Sequence, residues 1–287
     1  GSYWSSASTS RVMEGEHPSA LDRAEGLTDV FNVVTTPFLC PACRSSFEAM
    51  ASPLCVRCGV MFQSRFGEDH FCSDCIRRPG KLRHARAAGV YSGGLMALVH
   101  QLKYRAALAL IDPLGRLLQE AFRCYWQPDE IDMVVPIPLH NRRLRQRGFN
   151  QAQMLVDAWA DATGEGNRDW QRFPKAHDIL VRSRPTAPQT GMGKPERRRN
   201  IRRAFTVVNR DLIKGCRILL VDDVYTTGAT AEEAAHELHR NGADAVDVLT
   251  VARTMPRAGE RDIRNVCRTP SSTSRAGWAG THWPSNS

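Results

Sequence analysis

The sequence predicts an α/β domain built on a buried parallel sheet and preceded by a small metal-binding unit. Three observations carry that expectation. Ile218 to Val221 are four consecutive apolar residues, as in strands covered on both faces, and Asp222 and Asp223 are expected to end that strand. Beyond a short polar loop, Ala231, Ala234, Ala235 and Leu238 recur at the spacing of an amphipathic helix. Nearer the N-terminus, six of the nine cysteines form three Cys-x-x-Cys pairs, the spacing of metal knuckles rather than of a disulfide framework. A chain of 287 residues has room for one α/β domain of about 150 residues and something smaller.

Composition bounds the partners. Lys and Arg outnumber Asp and Glu by 39 to 30, a formal net charge of +9 that favours anionic ligands such as phosphorylated sugars or nucleic acid. The longest apolar uncharged stretch, Ala87 to Leu102, includes three glycines and a histidine and is shorter than the roughly 20 residues of a spanning helix. No membrane insertion is expected. Gly1 to Ser10 is Ser-rich and lacks the basic-then-apolar order of a secretory signal, so a cytoplasmic location is the default.

In chain order, residues 1–36 have scattered charge and little periodicity and are expected to be a flexible leader. Residues 37–80 hold the cysteines, Cys40 and Cys43, Cys55 and Cys58, Cys72 and Cys75, and are expected to form a zinc ribbon. Two pairs make one tetrahedral thiolate site, and Cys55, Cys58, Cys72 and Cys75 are the preferred set. Gly59 follows the first of those pairs where a tight knuckle requires positive φ, and the 13-residue spacer suits a ribbon hairpin. Cys40 and Cys43 are either a remnant or half of a second site completed by His70, His84 or Asp74. Four thiolates close the coordination sphere, so the zinc is structural rather than catalytic.

Residues 85–254 carry the α/β pattern. Leu95, Leu98, Val99 and Leu102 form one helix stripe, and Leu114, Leu117, Leu118, Ala121, Phe122 and Tyr125 another. Lys103, Tyr104 and Arg105 at the end of the first helix could reach a phosphate, although a solvated helix end is the simpler reading. Ile131 to Pro138 is a short strand stopped by prolines. A basic loop with Arg142, Arg143, Arg145 and Arg147 follows it, where open α/β sheets place their ligands, and then a helix with the stripe Ala152, Leu155, Val156 and Trp159. Leu180 to Arg203 has eight basic residues against Glu196 alone and is broken by prolines and glycines, so it is expected to be a basic flap whose residues Arg182 to Arg203 converge with Arg142 to Arg147 at the end of the sheet beside Thr226 to Thr230. Ala204 to Val208 and Ala245 to Ala252 are further strands. Residues 255–287 turn polar and irregular and are expected to be a disordered tail.

The loop Thr226, Thr227, Gly228, Ala229, Thr230 opens a helix with unpaired N–H groups, a dipole end and hydroxyl donors, which together suit a phosphate. Asp222 and Asp223 would repel that phosphate unless they serve ribose hydroxyls or a hydrated Mg2+. A Walker B strand also ends in acids, but Gly80-Lys81 and Gly193-Lys194 are followed by Leu82 and Pro195, so no Walker A loop accompanies it.

The stretch Val221-Asp-Asp-Val-Tyr-Thr-Thr-Gly-Ala-Thr230 resembles the phosphoribosyl-diphosphate (PRPP) signature of type I phosphoribosyltransferases. With Val135-Pro-Ile-Pro138, Arg147-Gly-Phe-Asn-Gln151, Pro188-Gln-Thr190, and Arg197 with Asn200, the order of motifs from about Cys40 to Arg253 is similar to that of the bacterial ComF family. The resemblance implies a type I phosphoribosyltransferase-like parallel sheet with helices on both faces, preceded by a zinc ribbon. It further implies that Asp222 and Asp223 face the ribose hydroxyls and that Thr226 to Thr230 wrap the 5′-phosphate of PRPP or another phosphoribosyl compound. Mg2+ and arginines near Arg142 to Arg147 would then meet the pyrophosphate. Fold does not settle activity. Two functions follow from the resemblance: phosphoribosyl transfer to an unidentified acceptor, or single-stranded DNA handling with DNA-uptake proteins during natural competence.

Overall fold

The computed structural model describes residues 20–64, 67–161, 176, 178–184 and 193–256. Its central feature is a four-stranded parallel sheet in the order β1 (Ala85–Val90), β6 (Ala245–Arg253), β5 (Arg217–Tyr225), β2 (Met133–Pro136). Side chains alternate across it as the pleat requires. Leu219, Val221, Leu249 and Val251 enter one core, whereas Ile218, Leu220, Val246 and Val248 enter the other. An uninterrupted apolar run is therefore needed, because both faces are covered.

One face carries α4 (Gly93–Arg105), α5 (Ile111–Tyr125) and α7 (Gln151–Asp161), whose stripes Leu95, Leu98, Leu114, Leu118, Leu155 and Val156 are buried there. The side chain of Trp159 lies outside the described residues. The opposite face carries α9 (Ala229–Arg240) with Ala231, Ala234, Ala235 and Leu238 turned inward. Over it lies the segment read as a flap: β3 (Leu180–Arg182) pairs antiparallel with β4 (Phe205–Val207), and α8 (Lys194–Ile201) lies between them in sequence. Ile201 and Phe205 of this segment are buried because its few apolar residues join the core between the sheet and α9. Pro188-Gln-Thr190 lies outside the described residues.

Three expectations need correction. The leader is not flexible throughout: α1 (Ala20–Thr35) places Leu27 and Phe31 in the core beside α5, both fully buried, and Phe31 stacks on Phe47 with centroids 4.0 Å apart. Residues 1–19 lie outside the described set, as does the tail from residue 257. The arginines after β2 do not sit in a loop but on a helix, α6 (Asn141–Arg147), started by His140, whose Nδ1 accepts the Arg142 N–H at 3.1 Å. Strand β5 does not stop at the acids; it continues to Tyr225.

The cysteine-rich segment, which includes α2 (Pro41–Ser45) and α3 (Ser73–Arg77), packs against the edge of the main sheet, within one compact unit that runs to Met255. Met50 N donates to Ala88 O at 3.1 Å and Val90 N to Glu48 O at 2.8 Å, so this segment pairs with the free side of β1 and covers an edge that would otherwise invite association. Gly59 has φ +63° and packs so closely on Ala85 that a Cβ would collide with its carbonyl oxygen. Only glycine satisfies both conditions.

Candidate functional site

A cleft of about 940 Å³ opens beyond the carboxyl ends of the parallel strands, the position at which open α/β sheets bind their ligands. Asp222, Asp223, Thr226, Gly228, Ala229 and Thr230 line it, together with Arg143 and Arg147 from α6. Arg142 and Arg145 do not line it and are exposed: the seven-residue helix turns alternate arginines in opposite directions. Thr227 does not line it either. Its Oγ1 is buried and finds no hydrogen-bond partner among the described residues.

Because neighbouring side chains on a strand point to opposite faces, the two acids straddle the top of β5. Asp223 turns toward α4, where Lys103 Nζ meets its Oδ1 at 2.8 Å. Lys103 is therefore no solvated helix end. Its side chain is only 16% exposed, and although burial opposes its charge, Asp223, their hydrogen bond and Asp222 outweigh this and hold its pKa above the ordinary lysine value. The sequence carries a signal for this: Lys103 stands four residues after Val99, on the border of the buried stripe.

Asp222 lies on the other side, within the field of Arg182 from β3. Burial, then the neighbouring Asp223 charge, raise its pKa to about 7, so it titrates near neutrality. Its Oδ1 accepts the Asp223 N–H at 2.8 Å. The cations are crowded as well. Burial and then the Arg143 charge lower Arg182 to about 10, and burial and then Arg147 lower Arg143. Mutually depressed guanidinium groups converging on one space favour an anion between them. Arg182 and Arg197, from the two ends of the flap, and Tyr91, His100 and Tyr104, from the β1–α4 side, complete the wall. Arg182 and Arg197 thus meet the α6 arginines beside the loop, as ligand placement beyond the strand ends leads one to expect. Tyr91 and His100 carry no site signal in the sequence, since the contacts that bring them there are tertiary.

The loop itself fits a phosphate. Gly228, at φ +75°, precedes α9 and gives it no side-chain cap, and Gly228, Ala229 and Thr230 at the start of this twelve-residue helix line the cleft, where a helix N-terminus suits an anion.

A second arrangement lies in the ribbon. Cys55, Cys58, Cys72 and Cys75 place their sulfurs within 4.8 Å of one another, and Cys58 and Cys72 are 3.8 Å apart. Zinc–sulfur bonds of about 2.3 Å in a tetrahedron require sulfurs about 3.8 Å apart, so the donor set could hold a zinc ion. Hydrogen bonding from Cys58 lowers Cys55 to about 4 despite burial, while burial and the Cys55 charge push Cys75 up to about 12. A divalent cation relieves that competition for charge. Among the described residues this is the one such group. Cys40 and Cys43 are exposed at the start of α2 and take no part in it. Nor do the proposed completing residues: His70 and His84 bond to the carbonyls of Glu68 and Val56, and Asp74 pairs with Arg77.

No family model matches the chain. Curated proteins do resemble it along most of its length. It is 28% identical over 219 residues to competence protein F of Haemophilus influenzae, covering 75% of this chain and 90% of that protein. To competence protein ComFC of Bacillus subtilis it is 28% identical over 224 residues, covering 75% and 84%. Among solved structures, the glutamine PRPP amidotransferase of B. subtilis matches with 20% identity and a TM-score of 0.30, covering 48% of this chain and 25% of that one. That likeness is too loose to carry a functional argument. To the DNA utilization protein YhgH of Salmonella typhi the chain is 30% identical over 221 residues, 76% of its own length and 91% of the relative's, and it belongs to the ComF family of competence and DNA-utilization proteins.

Proposed function

We propose that the cleft binds a phosphoribosyl ligand, PRPP or a related compound, and presents its anomeric carbon to an acceptor. The observation that supports this most is that two carboxylates straddling β5, a helix start without a side-chain cap and five arginines, Arg105 among them, line one cleft. Few ligands other than a phosphorylated ribose need all three. In this reading the α9 start and Thr226 to Thr230 hold the 5′-phosphate, Asp222 and Asp223 orient the ribose hydroxyls, and Arg143, Arg147, Arg182 and Arg197 meet the pyrophosphate. Mg2+, when bound with the ligand, would neutralise further phosphate charge. Transfer would require the C1–oxygen bond to pyrophosphate to break as an acceptor nitrogen bonds to C1, and the arginines would stabilise the leaving anion.

The test is calorimetry with PRPP and Mg2+ on the wild type and on Thr226→Val, which preserves shape but removes a hydroxyl donor from the cleft. Losing one hydrogen bond to a charged phosphate should weaken binding roughly tenfold. Absence of wild-type binding at millimolar PRPP would leave the motif as ancestry of the fold alone.

A second reading, single-stranded DNA handling, is favoured by the names of the relatives, competence and DNA-utilization proteins. Arg142 and Arg145 on α6 and Arg198 and Arg199 on α8 are exposed outside the cleft wall and supply backbone-binding charge. Replacing all four with Gln should weaken oligonucleotide binding and flatten its salt dependence while PRPP affinity is retained. An unchanged salt slope would remove this surface from consideration.

A further inference from the structure

Arg253, the last residue of β6, is only 7% exposed and stands between the cysteine cluster and the phosphate loop. Its Nη2 donates to Cys58 Sγ at 3.5 Å, and its guanidinium lies over the Tyr225 ring at 4.5 Å. Nε and Nη1 are buried and find no acceptor among the described residues. A buried guanidinium is costly unless an anion answers it. Four thiolates around Zn2+ carry two formal negative charges, so the loaded cluster is the anion that Arg253 faces.

From Arg253 the contacts continue into the loop. Tyr225 is itself 7% exposed, Thr254 N donates to its carbonyl at 3.0 Å, and its hydroxyl lies so close to Gly228 that a Cβ there would collide with it. Gly228 is the residue immediately before α9. A second tie runs from the end of the ribbon. Lys81 N donates to Glu232 Oε2 at 2.6 Å, in the first turn of α9, and the Lys81 carbonyl is 3.0 Å from His239 Nε2 further along the same helix. Both ties hold one side of the loop, while α4 and α6 contribute the other wall of the cleft.

We infer that Arg253 is a positioning residue through which the zinc-loaded cluster holds Tyr225 and the Thr226–Thr230 loop in their binding shape. The ribbon is then part of the site's support rather than an appended module. A metal-free cluster has neither the fixed charge nor the fixed geometry to hold Arg253, and the loop loosens although no loop residue touches the metal.

Hydrogen–deuterium exchange on the full chain tests this without any phosphoribosyl ligand, so the outcome is independent of the ligand reading. Removing zinc with a chelator should speed exchange in the peptide spanning Asp222 to Glu232 about tenfold while the α5 peptide Leu114 to Phe122 is unchanged. Arg253→Met with its zinc retained should do the same, and stripping zinc from that variant should add little, because both act through one path. Arg253→Lys should restore part of the protection. Should Arg253→Met fail to fold, Tyr225→Leu interrupts the path one contact later and is read in the same way. The inference is overturned if zinc removal loosens the ribbon but not the loop, if the two effects add, or if the purified chain carries no zinc.

Discussion

At the scale of single residues, the informative positions are charged groups held out of water. Asp222 shows this through its pH dependence. Its folded pKa of about 7 lies above the ordinary aspartate value, so the native state binds more protons than the unfolded chain through the intervening range, and stability falls as pH rises across it. Asp222→Asn removes that penalty. Its melting temperature should exceed that of the wild type at pH 8, by roughly 2–4 °C for each kcal/mol relieved, with the difference shrinking toward pH 5. Thermal melts at the two pH values decide it: an equal difference at both would show that Asp222 is already ionised at pH 5. Lys103 is the other instructive residue. It neutralises Asp223 inside the cleft, so Asp223 is not an independent charge waiting for a cation, and a divalent ion drawn to Asp223 must compete with an ammonium group 2.8 Å away.

At the scale of elements, α1 separates what periodicity reveals from what packing decides. Its stripe is sparse, and glycine, threonine and asparagine interrupt it, so isolated propensity does not favour a helix. It folds because Leu27 and Phe31 bury their side chains beside α5. Phe31→Ala should therefore cost about 3–5 kcal/mol in chemical denaturation, the usual effect of truncating a buried aromatic. A change below 1 kcal/mol would restore the leader to a dispensable segment. The flap follows the same logic. Its prolines and glycines ruled out one long helix, but they did not reveal that Leu180–Arg182 and Phe205–Val207 pair across the intervening segment, since a pairing over that separation leaves no local signature.

At the scale of the whole molecule, the ribbon and the α/β body share contacts rather than a linker. Metal analysis of the purified chain should give one equivalent of zinc, bound by Cys55, Cys58, Cys72 and Cys75. Cys40→Ser and Cys43→Ser should leave that value unchanged, whereas Cys72→Ser should abolish it and lower stability substantially, because structural zinc contributes on the order of 10 kcal/mol in small zinc domains. Two equivalents in the wild type would return Cys40 and Cys43 to metal binding. No described helix is long and apolar enough to cross a membrane.

What the sequence determined by itself was everything encoded at short range. The apolar run of β5, the stripe of α9, the glycine-led helix start and the Cys-x-x-Cys spacings each lie within a few residues, so their physics is legible in order along the chain. The family resemblance rests on those same stretches. The tertiary structure alone decided which charged groups meet. It divided four neighbouring arginines into two that line the cleft and two that do not, paired Lys103 with Asp223, and set Arg253 between a metal site and a phosphate loop. The reason is that electrostatic interactions act through space, and a parallel sheet whose crossovers carry strands past one another brings together residues far apart in sequence.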